Sequence, residues 1–240
     1  VDFMATQPNY KGALTQYMTH PEEWTYHIPE GMTTMEGALV EPAAVGMHAA
    51  VLGGAQPGKS IVILGGGTIG LMVLQACISL GATDITVVDV IEKRLELAKK
   101  LGAARVINGK EEDTVAVLRS EEMYGDHGVD LVFEAAGAVF TAQQAVQIVS
   151  RGGKIMMVGT QSKPVPIDFL KINREVTIQT SFRYCNNFPQ TIEAISSGRF
   201  NVKDMVTNIY DYEDVQKAFE EAIDPVKKTE MVKGVIKVAE

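Results

Sequence analysis

Residues 60–80 read SIVILGGGTIGLMVLQACISL, an apolar run that a glycine-rich turn divides into two halves. The first half, residues 60–64, is short and rich in β-branched side chains, which predicts a buried strand. The second half, residues 69–80, is long enough for a helix and begins directly after the turn. A strand, a tight turn and a helix in this order indicate the start of a βαβ unit.

The same alternation continues along the chain. Further strands are predicted at residues 84–89, 105–107, 129–134, 154–158 and 176–180, and helices at residues 92–101, 114–123 and 139–149. Because these strands are apolar throughout, both faces of the sheet should be covered by helices, which indicates parallel strands. Six such strands predict an α/β fold with a doubly wound, parallel, six-stranded Rossmann sheet. No further βαβ unit is predicted after residue 184.

The glycine-rich turn has the G-x-G-x-x-G spacing of dinucleotide-binding sites. Gly65 allows a sharp turn, Gly67 leaves room for a pyrophosphate, and Gly70 lets the helix pack closely on the strand. Thr68 and Ile69 begin the helix, whose unpaired amides and positive dipole end favour phosphate binding. A plain tight turn is the alternative, since glycine triplets also occur by chance.

Asp89 ends the second predicted strand, 19 residues after Gly70 (89 − 70 = 19). An acid at this spacing is typical of a residue that accepts hydrogen bonds from the adenosine ribose. Its charge would repel a 2′-phosphate, which favours NAD over NADP. Arg94 follows on the next helix, near the expected adenine position, although it could equally pair with Glu92 or Glu96 on the helix surface.

Three further groups follow predicted strands at the carboxyl edge of the sheet, where ligands bind in such folds. The alternative for the first two is a plain turn, and for the third a surface salt bridge beside a packing aromatic. The groups are Ala135-Ala136-Gly137, Val158-Gly159-Thr160 and Phe182-Arg183-Tyr184-Cys185.

Glu41 is an acid inside an apolar run and therefore needs a partner. Thr33 and Glu36 predict a capped helix start, and Pro42 suits the first turn of a second helix at residues 43–52. Glu41 could therefore occupy a helix N-terminus or face an active site, and the sequence leaves both open.

Composition and charge indicate which classes of binding partner and which cellular compartment suit the chain. The net charge of −8 opposes binding to nucleic acid, and two cysteines indicate a reduced, cytoplasmic setting. Residues 60–83 carry no charge, but their glycines and their division into strand and helix argue against a membrane span. The histidines show no metal-ligand spacing, so no metal site is predicted in this chain. They are His20, His27, His48 and His127.

Three stretches resemble the medium-chain, zinc-dependent dehydrogenases, and within them the polyol group typified by sorbitol (L-iditol 2-) dehydrogenase. They are EGALVEPAAVGMHA at residues 36–49, the glycine turn with Asp89, and FRYCNNFP at residues 182–189. The resemblance covers about the latter two-thirds of the family's length.

The resemblance implies roles for individual residues. Glu41 would lie beside the catalytic zinc, and Arg183 and Tyr184 would contact the polyol. The implied NAD contacts are Ile69, Asp89, Arg94, Val158, Gly159, Thr160, Ser181, Phe182 and Arg183.

The chain also departs from this family. The family's zinc is held by a Cys, a His and a Glu of an N-terminal, barrel-like domain, and neither the Gly-His-Glu run nor any cysteine before Cys77 occurs here. We therefore expect a fragment: residues 1–41 and 185–240 as β-rich remnants of a GroES-like catalytic domain, and residues 42–184 as the NAD-binding domain. The first residue, Val1, fits truncation.

The intact parent is expected to oxidise a secondary alcohol of a polyol to a ketone with NAD and zinc, as a homo-oligomer (dimer or tetramer), whereas the fragment alone is expected to be inactive. An edge-to-edge dimer through the sixth strand is one expected form. Two alternatives stay open: a zinc-free, quinone-reductase-type enzyme that prefers NADPH, and a non-catalytic NAD-binding or redox-sensing module.

Overall fold

The computed structural model describes residues 12–170, 172 and 174–238. These residues form two compact units, one of residues 28–205 and one of residues 12–27 with residues 206–238. The larger unit extends beyond the predicted NAD-binding domain of residues 42–184 at both ends. The assignment of the flanking residues to a catalytic domain stays a prediction, and residues 1–11 lie outside the described part.

A parallel sheet forms the centre of the larger unit. In the described part of the chain its strands are β1 (Ser60–Leu64), β2 (Asp84–Asp89), β3 (Arg105–Asn108), β4 (Val129–Glu134), β5 (Val149–Met157) and β6 (Thr177–Thr180). Their order is β3-β2-β1-β4-β5-β6, which confirms the predicted fold class. The order reverses between β1 and β4, and this switch point is where ligands bind in doubly wound sheets.

Burial explains why these sequences form central strands. Ile61, Val62, Ile63 and Leu64 of β1 are completely inaccessible to solvent, so both faces of the strand are covered. Each such side chain contributes about 1.5–3 kcal/mol relative to exposure. In the register, Leu64 pairs with Val88 on one side and with Glu134 on the other, so the residues that follow these strands begin at one edge of the sheet.

Helices cover the sheet. They are α1 (Thr34–Gly53), α2 (Thr68–Ser79), α3 (Glu92–Lys100), α4 (Thr114–Leu118), α5 (Val139–Ile148) and α6 (Phe188–Ser196). The predicted end of α4 at residue 123 was wrong, because the helix ends at Leu118. The next residue, Arg119, donates hydrogen bonds to four carbonyl groups outside α4. They belong to Gly125, Asp126, Gln147 and Val149. The predicted start of β5 at residue 154 was also wrong, because a bulge lets the strand pair from Val149 onward.

Helix α1 corrects a further prediction. It begins with the expected capping box of Thr33 and Glu36, but it continues through Pro42 as one helix instead of starting again there. Proline costs a helix interior about 3 kcal/mol. Burial of Leu39, Ala43 and most of their apolar neighbours against α2 and α6 compensates for this cost. Tertiary packing therefore overrides the local signal.

The smaller unit contains a parallel strand pair, β7 (Val206–Asp211) and β8 (Lys233–Lys237), joined through α7 (Val215–Ile223) and α8 (Lys227–Glu230). The prediction of no further βαβ unit was therefore wrong. These strands are only partly buried, so they lack the continuous apolar pattern that revealed the others. Within the described residues, no helix has the length and apolar character needed to cross a bilayer.

Candidate functional site

The glycine-rich turn joins β1 to α2 at the switch point. Gly65 has φ +110°, and a Cβ there would lie 2.8 Å from the Ala136 amide nitrogen. A Cβ at Gly70 would overlap the carbonyl oxygen of Gly65. Gly67 differs, since the nearest atom to its Cβ position is Arg94 Nη1 at 3.9 Å. The fold thus requires the first and last glycines, whereas Gly67 borders open space.

Asp89 ends β2 beside this turn and is 9% exposed. Its Oδ2 accepts a hydrogen bond from the Gly66 amide at 2.6 Å, and its Oδ1 accepts from Val90 and Ile91 at 2.8 and 2.9 Å. Arg94 Nη1 lies 3.6 Å from Oδ2. Asp89 therefore fixes the glycine turn to the end of β2 and places Arg94 at the same point.

Glu134, at the end of β4, is a site residue that sequence reasoning missed. It is fully buried, and its Oε1 accepts from the Ala136 and Gly137 amides at 3.0 and 2.8 Å and from Thr141 Oγ1 at 2.7 Å. Its Oε2 accepts from Gln161 Nε2 at 2.7 Å. The sequence did carry a signal for Glu134, because this acid ends an apolar strand and precedes three small residues at 135–137.

The loops after β4 and β5 also touch through their backbones. A Cβ at Gly137 would lie 2.6 Å from the Thr160 carbonyl oxygen, and a Cβ at Gly159 would lie 2.8 Å from Glu134 Oε2. Glu134 and these glycines together hold the loops of residues 135–137 and 158–160 against each other. The candidate residues Val158, Gly159 and Thr160 thus have a defined position at the carboxyl edge.

A cavity of about 460 Å³ opens at this edge. The predicted cofactor residues that line it are Gly65, Gly67, Asp89, Arg94 and Ala136, and the other lining residues are Val88, Val90, Gly109, Thr114, Ala135, Ala138, Phe140, Thr141 and Gln144. Other predicted residues lie outside the lining: Thr68, Ile69 and Gly70 in the first turn of α2, and Val158, Gly159, Thr160, Ser181, Phe182 and Arg183 after β5 and β6. The N-cap of α2 is Gly67, which has no side chain to occupy the helix start, so the positive end of α2 suits a phosphate.

A second group joins distant parts of the sequence. Tyr184 lies within electrostatic range of Glu41, although 143 residues separate them (184 − 41 = 143). Burial and the nearby Glu41 carboxylate raise the pKa of Tyr184, and Arg183 partly opposes this rise. The Tyr184 ring also packs edge-on against Phe188, with centroids 4.9 Å apart. The structure thus brings together two of the predicted substrate residues.

Exposure and backbone conformation distinguish the group around Glu41 from the cavity. Glu41 is exposed in the middle of α1, so the interpretation as a helix N-terminus was wrong. Arg183 has φ +56°, an uncommon conformation for a residue with a side chain, and its guanidinium lies 5.5 Å from the Phe182 ring centroid. Asn187 Nδ2 donates to the Ala44 carbonyl at 2.8 Å and anchors the segment to α1.

Comparison with known proteins agrees with this geometry. Residues 68–197, more than half of the chain, match the zinc-binding dehydrogenase family model. The chain is 64% identical over 240 residues to an uncharacterized zinc-type alcohol dehydrogenase-like protein of Escherichia coli, covering 100% of this chain and 68% of that protein. The chain belongs to the zinc-binding dehydrogenases.

Within this family the chain falls in the medium-chain polyol group. A sorbitol dehydrogenase of Bacillus subtilis is 39% identical over 226 residues, which is 93% of this chain and 63% of that enzyme. A crystal structure of an Escherichia coli oxidoreductase/dehydrogenase of unknown specificity superposes with a TM-score of 0.95 at 63% identity, covering 100% of this chain and 68% of that one. The chain thus spans about two-thirds of the length of the relatives it matches.

Proteins of this family are described as zinc-binding, so the described residues should be compared with the ligand set that zinc requires. Catalytic zinc needs three protein ligands, usually drawn from His, Cys, Asp and Glu. Among residues 12–170, 172 and 174–238, no group of three such side chains lies close enough to hold a metal ion. The donor set described around Glu41 therefore does not fit a complete zinc site.

Proposed function

We propose that this chain is the NAD-binding part of a polyol dehydrogenase that oxidises a secondary alcohol to a ketone. The observation that carries the proposal is the buried Asp89 carboxylate, which lies in the wall of the cavity beside the glycine-rich turn. A dinucleotide offers a pyrophosphate for the turn and a ribose for the acid at this spacing.

The cavity residues suit NAD in detail. The pyrophosphate would lie over Gly67, where no side chain intrudes, and would accept hydrogen bonds from the backbone at Thr68 and Ile69. Each oxygen of Asp89 has about two acceptor positions. Its Oδ2 uses one for the Gly66 amide and keeps another for a ribose hydroxyl.

The same carboxylate discriminates between cofactors. A 2′-phosphate would come against a negative charge that is nearly excluded from water, where repulsion is stronger than at the surface. NAD is therefore preferred over NADP. This preference also argues against a quinone-reductase-type enzyme that uses NADPH.

The remaining carboxyl-edge residues would hold the other half of the cofactor. Ala136 leaves space beside the cavity, and the loops of residues 158–160 and 181–183 follow the next two strands. Bound NAD supplies a hydride acceptor, and the protein supplies its position. Glu134 sets this position through the loop of residues 135–137.

Glu41, Arg183 and Tyr184 form the proposed polyol side of the site. The Tyr184 hydroxyl can act as a hydrogen-bond donor, and it lies near the Glu41 carboxylate. Arg183 carries five N–H donors in a fixed plane, which suits adjacent hydroxyl groups. The similarity to a sorbitol dehydrogenase supports a polyol substrate.

We further propose a homo-oligomer. In the described sheet β6 pairs only with β5, so its other side is an edge that a second copy could extend.

The test uses a longer form of the protein that spans the full length of its relatives. Initial rates are measured with sorbitol, with xylitol and with 2-propanol, each with NAD and with NADP. NAD-dependent oxidation of the polyols, with little turnover of 2-propanol, is expected. Equal rates with both cofactors, or turnover of simple alcohols alone, would contradict the proposal.

A further inference from the structure

A small cleft at the amino edge of the six-stranded sheet gathers three arginines. They are Arg119, Arg151 and Arg174, and they line a volume of about 30 Å³, which admits one small group such as an oxygen of an anion. Val149, which also lines the cleft, pairs with Val129 at the start of β4. The length of β4, about 16 Å, therefore separates the cleft from the carboxyl edge and its cavity.

The backbone holds one of these arginines in place. Arg119 donates to carbonyl groups around the starts of β4 and β5, among them those of Gln147 and Val149 at 3.0 and 3.1 Å. A Cβ at Gly128, which has φ +82°, would lie 2.7 Å from Arg119 Nη1, so the backbone packs directly against the guanidinium. Carbonyl groups satisfy the N–H donors of Arg119 but do not neutralise its charge. The cleft thus has a fixed cation in its wall.

The positive charges in the cleft are poorly compensated. Within the described part of the chain, none of the three arginines forms an ion pair with a carboxylate. Burial lowers the pKa of Arg119, Asp126 partly opposes this, and the Arg174 guanidinium lowers the pKa further. The two guanidinium groups therefore repel each other. An anion that enters the cleft would relieve this repulsion.

We propose that Arg119, Arg151 and Arg174 form a binding site for a phosphate group, carried by inorganic phosphate or by a small phosphorylated metabolite. The planar N–H donors of guanidinium groups match phosphate oxygens in pairs. The net charge of −8 opposes the approach of nucleic acid, and the small volume favours a compact anion. The site lies at the opposite edge from the glycine-rich turn, so it goes beyond the proposed function and does not depend on it.

The test is calorimetric titration with inorganic phosphate, at an ionic strength held constant with chloride and with excess NAD to occupy the glycine-rich turn. The wild type should bind phosphate. The double variant Arg151→Gln/Arg174→Gln should raise the Kd about tenfold or more, because it removes hydrogen bonds between charged groups. Both residues are exposed, so the fold should persist.

A matched control removes two charges elsewhere. Arg199→Gln/Lys217→Gln changes two exposed residues outside the cleft lining, so the Kd for phosphate should stay within about twofold of the wild-type value, since salt screens distant charges. Titration with glycerol 3-phosphate distinguishes the two sources of the phosphate group. Tighter binding of this ester than of phosphate would support a phosphorylated metabolite, and weaker binding would support the free ion.

Three results would overturn the proposal. They are no binding of phosphate by the wild type, an equal Kd in the wild type and Arg151→Gln/Arg174→Gln, and binding that NAD abolishes, which would place the phosphate at the glycine-rich turn. A dimer that only the double variant loses, without phosphate binding, would instead assign the cleft to contact between copies. Failure of NAD to bind would contradict the proposed function, while the comparison of variants would still decide this site. The wild-type titration needs no variant, so a misfolded variant would not leave the site untested.

Discussion

The cavity beside the glycine turn and the group around Glu41 lie in the same compact unit but differ in how their polar groups are satisfied. Asp89 and Glu134 are buried, and hydrogen bonds reach both oxygens of each carboxylate. Glu41 is exposed, and Arg183 has a positive φ. The cavity thus has buried acids that this chain's own residues satisfy, whereas the second group leaves its acid, Glu41, accessible to solvent.

The difference in burial separates cofactor binding, which this chain's own residues determine, from substrate oxidation. A buried acid whose two oxygens both accept hydrogen bonds from the chain fixes loops before any ligand arrives, so cofactor binding should be a property of this chain. Glu41 is exposed and Arg183 has a positive φ, so the function of these two residues should depend on the groups that pack against them. Substrate oxidation should therefore depend on more than the residues described.

The largest expected effect is at Glu134. Glu134→Ala removes the acceptor of four donors, so we expect the free energy of unfolding to fall by about 3 kcal/mol or more, with loss of NAD binding. Glu41→Ala is the matched control and should change stability by less than about 0.5 kcal/mol, because the residue is exposed. Chemical denaturation measures both, and equal stability of the two variants would remove the contrast between the regions.

The next effect concerns cofactor choice at Asp89. Asp89→Gly removes the ribose acceptor and the charge that repels a 2′-phosphate, so the ratio of Kd for NADP to that for NAD should fall by about tenfold or more. The variant also loses three backbone hydrogen bonds, and the ratio is used because general loosening affects both ligands. Asp84→Asn, at the opposite end of β2, should keep the wild-type ratio. An unchanged ratio in Asp89→Gly would mean that Asp89 serves the fold alone.

Arg183 tests the substrate side in the full-length protein. Arg183→Ala should lower kcat/KM for polyols by about 1–3 kcal/mol, and by less for a short secondary alcohol that cannot reach the guanidinium. NAD affinity is measured alongside, since Arg183 is also a proposed cofactor contact. Arg183→Gly should show the same kinetic loss with higher thermal stability, because glycine accepts the positive φ. A loss of stability with unchanged polyol kinetics would support the salt-bridge interpretation.

The smallest effect is expected at the start of α1. Glu36 is buried there, whereas Glu41 on the same helix is exposed. Burial alone would raise the pKa of Glu36, but hydrogen bonds from Thr33 and the ammonium group of Lys203 outweigh it and hold the pKa below its usual value. A lowered folded-state pKa stabilises the protein above the unfolded pKa, and this contribution disappears as the pH falls through the folded pKa. Glu36→Gln should therefore cost about 1 kcal/mol at pH 7 and little in strong acid. Melting curves at several pH values would show an unchanged difference if Glu36 acted only by its shape.

Local signals explain what could be predicted from the sequence. The strands around Gly65 and the place of Asp89 follow from continuous apolar runs and fixed spacing, which tertiary structure does not alter. The course of α1 through Pro42 depends on packing against α2 and α6. The position of Glu134 at the end of an apolar strand could have marked it, but its four hydrogen-bond partners depend on which atoms meet inside the fold.

Calorimetric titration of this chain with NAD and with NADP, at one salt concentration, measures directly whether Asp89 and the glycine-rich turn bind NAD in preference to NADP. We expect one NAD bound per chain and at least about tenfold weaker binding of NADP. Binding of NADP as tight as that of NAD, or no binding of NAD at all, would contradict it.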